Sequence, residues 1–143
     1  MFRLHERLAA DTTPVCTSGL CHVLLMDNRL WPWLILVPAR ADVVEIHHLD
    51  PADRARLIEE VARASEALEA LFRPDKINVG ALGNIVPQLH VHVIARTLGD
   101  PAWPGPVWGS GHAERYAPPE REERVAALRL RLRGPSPVEG AQP

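Results

Sequence analysis

The sequence holds no excess of basic charge. Its 16 Lys and Arg stand against 18 Asp and Glu, for a formal net charge of −2. Nonspecific nucleic-acid binding needs a basic face that neutralises phosphates, so nucleic acid is not expected as the main partner. Lysine is almost missing, Lys76 being the only one, and that scarcity carries no functional inference. Cysteine is scarce as well. Cys16 and Cys21 are the only two, and their C-x4-C spacing suits reduced thiols better than a disulfide framework. No apolar run is long enough to cross a bilayer. The first eight residues mix charge with apolar side chains and lack the apolar segment of a signal peptide. A cytoplasmic protein with no membrane partner is the expectation. What is present is ordinary for a soluble domain, with 46% hydrophobic and 24% charged residues over 143 positions. That length suits one domain with a sizeable core.

Taken in order, residues 3–10 suggest one or two helical turns with Phe2, Leu4 and Leu8 on a weak apolar stripe, broken by the Asp-Thr-Thr-Pro of 11–14. Two short apolar runs, 20–26 and 33–37, read as strands joined through a turn at Asp27 and Asn28. A long helix follows, with Asp50 as N-cap, Pro51 at its first position and Asp53 in its first turn. Leu57, Ile58, Val61, Ser65, Leu68, Leu71 and Phe72 repeat at helical spacing until Pro74 stops the helix. Residues 76–79 read as another strand and 80–84 as a glycine-containing loop. After Arg96, a stretch rich in proline, glycine and tryptophan implies an ordered loop pinned by Trp103 and Trp108, closing over the site or serving as packing anchors. A charged helix over 119–133 reads as a solvated appendage, and residues 134–143 as a disordered tail. Helices gathered on an antiparallel sheet make an α+β fold.

The chemistry concentrates in residues 86–96. Alternation along a strand places Gln88, His90 and His92 on one face and Leu89, Val91 and Val93 on the other. Same-face neighbours lie roughly 6.5–7 Å apart, so two imidazoles and an amide could line a site for a phosphate group. Three readings compete. Two imidazoles could hold zinc, with a third ligand from His22, His47, His48 or a cysteine. A neutral imidazole could attack phosphorus. Both histidines could be structural.

The segment from Asn78 through Gly83, Asn84, Gln88, His90 and His92 to Arg96 resembles the signature of the histidine triad (HIT) superfamily, His-φ-His-φ-His-φ-φ with φ apolar. The order of elements over residues 16–108 is similar to it too. The resemblance implies a HIT-like α+β fold, an antiparallel sheet of about five strands with one long helix packed on it and a short C-terminal helix. It divides the chain into a HIT-like domain at 1–110, an extension with a helix at 111–133 and the tail. HIT proteins cleave nucleotide conjugates at the α-phosphate, so the resemblance implies a nucleotide hydrolase or transferase whose nucleophile is His90. His92 would then bind the phosphate or the leaving-group oxygen, with the attacking tautomer of His90 fixed by a bond from its other nitrogen to a backbone carbonyl. Asp27 matches the position that holds ribose hydroxyls, while Asn78, Gly83 and Asn84 would bind phosphate. Leu20, Leu25, Trp31 and Leu36 are candidates for the base pocket. No cofactor is required, although a divalent metal would be compatible, and a homodimer through the long helix and adjacent strand is implied.

Two departures stand out. Gln88 occupies the first triad position, and an amide carries no proton at neutral pH. Trp33 falls near a place where many relatives have a further histidine. A nucleotide-binding module with little catalysis is the alternative from another class.

Overall fold

A computed structural model describes residues 1–133. In chain order its elements are α1 (Glu6–Asp11), β1 (Thr12–Thr17), β2 (Cys21–Met26), β3 (Trp33–Pro38), a one-turn 3-10 helix (Ile46–His48), α2 (Pro51–Phe72), β4 (Lys76–Gly80), β5 (Val91–Arg96) and α3 (Pro118–Arg133). The five strands form one antiparallel sheet in the order β1-β2-β3-β5-β4. The expected α+β architecture holds, and the tail at 134–143 lies outside the described residues.

The long helix begins where its capping residues place it. The Asp50 carboxylate accepts from the Asp53 backbone N at 2.8 Å, with Pro51 at the first turn. It ends at Arg73, whose φ of 46° leaves the helical region just before Pro74, which could not continue it. Leu57, Val61, Ala64 and Leu68 bury one stripe against the sheet. Ile58 and Leu71 depart from the expected stripe and are exposed, Ile58 at 63%. Glu60, unremarked in the sequence, is buried instead: its carboxylate accepts from the backbone N of Leu20 at 2.6 Å and of Cys21 at 3.0 Å. Those two amides lie where β2 begins, so α2 is tied to the sheet by charge-assisted bonds as well as by packing.

Three expectations are extended or corrected. The break at 11–14 does end α1, at Asp11, and it also opens an unpredicted strand, which Pro14 can join because β1 lies at the sheet edge, where it forfeits no ladder bond that a central strand would need. Its register shifts between Pro14 and Cys16. The histidine strand is shorter than 86–96 and starts at Val91, leaving Pro87, Gln88 and His90 on an irregular approach. The charged C-terminal helix is no appendage. Tyr116, Val125 and Leu128 join the core between the sheet and α2, and Arg129 Nε donates to the Val15 carbonyl at 2.7 Å.

Alternation along the strands gives the sheet two covered faces. Val23, Leu25, Leu34, Leu36, Val91 and Val93 face the α2–α3 side. Leu24, Trp33, Ile35, Val37 and Ile94 face α1 and the tryptophan loop. His92 alternates with Val91 and Val93, so it opens onto this second side.

Candidate active site

The two histidines are held in opposite hydrogen-bonding states. His90 Nδ1 lies 2.7 Å from the Gln88 carbonyl oxygen. A carbonyl only accepts, so this nitrogen carries the proton and Nε2 keeps its lone pair. For His92, the Trp33 indole Nε1 donates to Nδ1 at 3.0 Å. An indole N–H only donates, so Nδ1 is the bare nitrogen and Nε2 holds the hydrogen. The ring centroids are 4.9 Å apart at 67°, and both side chains are buried. Burial, with His90 as a neighbouring charge when protonated, pulls the His92 pKa down to about 4. His92 is therefore a neutral hydrogen-bond donor at neutral pH, with no acidic proton to give.

A cleft of about 690 Å³ opens over these rings. Leu8, Met26, Ile35, Val86 and Val107 give it apolar walls, and Gly83 and Asn84 reach its rim. Trp108 closes one side, its ring 5.3 Å from that of His92. The tryptophan can sit there because residue 80, paired with His92 across the sheet, is glycine. A Cβ at Gly80 would lie 2.8 Å from the Trp108 ring, closer than real Cβ contacts come. The loop carrying Trp108 is anchored by Arg96, which is 1% exposed. Its guanidinium donates to Asp100 through two bonds of 2.8 and 2.9 Å and to the Gly105 carbonyl at 2.9 Å. A smaller cavity of about 150 Å³ adjoins at His90 and Gly83, and neither Lys nor Arg is among its lining residues, which include Glu45 and His47.

Of the residues singled out in the sequence, His90, His92, Gly83 and Asn84 meet at the cleft. Gln88 does not join them. Its Oε1 accepts from the His5 backbone N and its Nε2 donates to the Arg3 carbonyl, both at 2.9 Å, because the chain at 88 has not yet entered the strand. Asn78 faces Arg96, with its Oδ1 accepting from Nη1 at 2.8 Å. Asp27 accepts from the Tyr116 backbone N at 3.0 Å and has Arg115 at 3.9 Å, and it does not line the cleft. Leu20, Leu25 and Leu36 are core on the helix side, and Trp31 is 1% exposed. Trp33 and Trp108 supply what sequence reasoning missed or left open.

No group of three His, Cys, Asp or Glu is gathered among the described residues in a way that could hold a metal. His22 stacks on Phe2, and His47 lies against His48. Burial pushes the Cys21 thiol well above the ordinary thiol range and raises that of Cys16 as well. No helix among the described residues is long and apolar enough to cross a membrane.

Comparison with known proteins agrees with this geometry. A family model described as HIT domain matches residues 7–98. A histidine triad protein from Sinorhizobium meliloti 1021 is 53% identical, with a TM-score of 0.87 over 89% of this chain and 94% of its own. One from Marinobacter aquaeolei VT8 is 50% identical, with a TM-score of 0.90 over 93% and 97% of the two chains. A hypothetical histidine triad nucleotide-binding protein from Sulfolobus tokodaii strain7 shares the fold at 16% identity, with a TM-score of 0.67 over 85% and 84%. Among curated proteins none matches. With well over half of its length in the family model and 53% and 50% identity to the Sinorhizobium and Marinobacter proteins, the chain belongs to the histidine triad family.

Proposed function

We propose that the chain is a nucleotide phosphohydrolase or nucleotidyl transferase acting at the α-phosphate of nucleotide conjugates. One observation carries this reading: a bare His90 Nε2 beside a His92 Nε2–H over one cleft. The lone pair of His90 Nε2 forms a bond to the α-phosphorus while the bond to the leaving group breaks, giving a nucleotidyl-His90 intermediate. His92 donates a hydrogen bond to a phosphoryl or leaving-group oxygen and keeps its proton. Water or another acceptor then attacks the phosphorus and frees His90. The Sulfolobus protein of the same fold is named as nucleotide-binding, which supports the ligand class.

Neither Gln88 nor His92 is poised to protonate the leaving group, since Gln88 is turned to the N-terminal segment and His92 is neutral. Suitable substrates are those whose leaving group departs as an anion or brings its own proton. Dinucleoside polyphosphates and nucleoside phosphoramidates are the two types. No resident cofactor is needed for these steps, and a divalent metal would enter with the substrate's phosphates. We place the protein in the cytoplasm and pair it as a homodimer through α2 and β4, where Ile58 and Val79 stand exposed; a monomeric mass on sedimentation would remove the pairing.

Turnover of both substrate types by wild type and His90→Ala is the test. Loss of about a thousandfold or more is expected for removal of a covalent nucleophile. Equal rates would remove His90 from that role. The withdrawal of Gln88 favours a second reading, a binding module without catalysis, and tight nucleotide binding with no product over hours would select it.

A further inference from the structure

Along the wall of the cleft, on α1, stands a charged pair that the fold does not need. Arg7 and Asp11 sit one turn apart on α1, 3.7 Å from Nε to Oδ2, with side chains 57% and 45% exposed. That distance is too long for a hydrogen bond, and exposed pairs of this kind contribute little to stability. Both side chains nevertheless line the same cleft as His90 and His92, with Leu8, Met26 and Ile35 among the residues between. The sheet sets the span. β5 lies three strands from β1, about 14 Å at ordinary strand spacing, and Asp11 directly precedes Thr12, which pairs with Met26. A nucleotide with its phosphate at His90 would lay its base over this apolar floor and bring the far edge of the base to Asp11. Two other polar side chains of the cleft, those of Thr12 and Asn28, are engaged. Thr12 Oγ1 donates to the Leu8 carbonyl at 2.6 Å, and the Asn28 amide is bonded to His112, Glu114 and Leu30 backbone groups.

We propose that Arg7 and Asp11 read the Watson–Crick edge of a guanine base, making the substrate a guanine nucleotide conjugate; the proposal rests on the nucleotide reading above. Guanine presents one acceptor and two donors in a row, O6, N1–H and N2–H. A guanidinium only donates, which suits O6, and an ionised carboxylate only accepts, which suits the two adjacent N–H groups. Adenine sets its N6 donor beside the N1 acceptor, and that acceptor would face a lone pair of Asp11. Uracil and cytosine likewise lack two adjacent donors.

Calorimetric titration of the full chain with GMP and with AMP, at one salt concentration, tests this. GMP is expected to bind about tenfold tighter or more, the lower part of what one bidentate contact gives. Asp11→Asn replaces one acceptor with a donor that would oppose a guanine N–H, while Arg7 still donates to guanine O6. In this variant GMP is expected to lose most of its advantage over AMP, while the thermal unfolding midpoint stays in place. Equal affinities in the wild type, or an undiminished GMP preference in Asp11→Asn, would overturn the assignment. Failure of both nucleotides to bind would overturn the nucleotide reading itself, and the guanine assignment with it.

Discussion

His90 and His92 share a cleft but not a tautomer, and the difference is imposed by two neighbours of opposite hydrogen-bonding type, a carbonyl and an indole. Trp33 therefore acts as a positioning residue. Trp33→Phe removes the donor and leaves His92 free to carry its hydrogen on either nitrogen. Nitrogen NMR of the ring is expected to show an unprotonated Nδ1 in the wild type and a mixture in the variant. Turnover should fall about three- to tenfold, as for one net hydrogen bond, whereas a purely structural role for Trp33 would leave the ring spectrum unchanged. The depressed pKa of His92, about 4 in the fold against about 6.5 unfolded, also has a consequence for stability. Between these values the unfolded chain binds a proton that the folded chain refuses, so stability falls as pH drops from about 6.5 towards 4. Urea titrations at the two ends should show the wild type losing about 2–3 kcal/mol more than His92→Gln; equal losses would place the pH dependence elsewhere.

Among the elements, the tryptophan loop depends most on a single ion pair. Arg96 and Asp100 are both buried, and the bonds from Arg96 hold the Asp100 carboxyl well below the usual carboxylate range. Asp100→Ala leaves a buried guanidinium without its counter-charge. A loss of about 3 kcal/mol in urea unfolding is expected, together with a red-shifted tryptophan emission as Trp108 leaves His92. An unshifted spectrum would mean that the loop is held by other contacts. This element also shows where sequence reading stops. The long helix was legible because Asp50, Pro51 and the 3.6-residue period are local signals. So was the His90–His92 pair, from its alternation. The partner of Gln88 was not legible, because inside the expected strand, three residues before the observed one begins, its side chain turned to Arg3 and His5, far away in sequence. The bonds of Asp27 and Asn78 were not legible for a related reason. Their side chains satisfy Tyr116 and Arg96, and no local pattern announces a bond across the fold. Gly80 could have been found only by knowing that Trp108 lies on it.

On the scale of the molecule, the C-terminal extension is part of the same core as the sheet. Leu128 is 0% exposed, and Leu128→Ala is expected to cost about 2–5 kcal/mol, as for any buried leucine. An effect under about 0.5 kcal/mol in urea unfolding would restore the helix to a surface role. Before reaching that core, the extension crosses the turn between β2 and β3. The Arg29 backbone N donates to the Glu114 carbonyl at 2.7 Å, and the Arg29 side chain pairs with Glu114 and Glu120. The stretch just before, Gly109 to Ala113, forms part of the cleft wall.

The bond from Arg129 to Val15 spans 114 positions, and this has a temporal meaning during synthesis. β1 leaves the ribosome long before α3 exists, and chains are made at roughly 5–20 residues per second. For several seconds, then, the nascent sheet carries an uncovered apolar strip at its edge and a cleft without its last wall. Closing so long a loop is entropically slow. The protein should therefore acquire its core and its ability to enclose a ligand together, in a single late event.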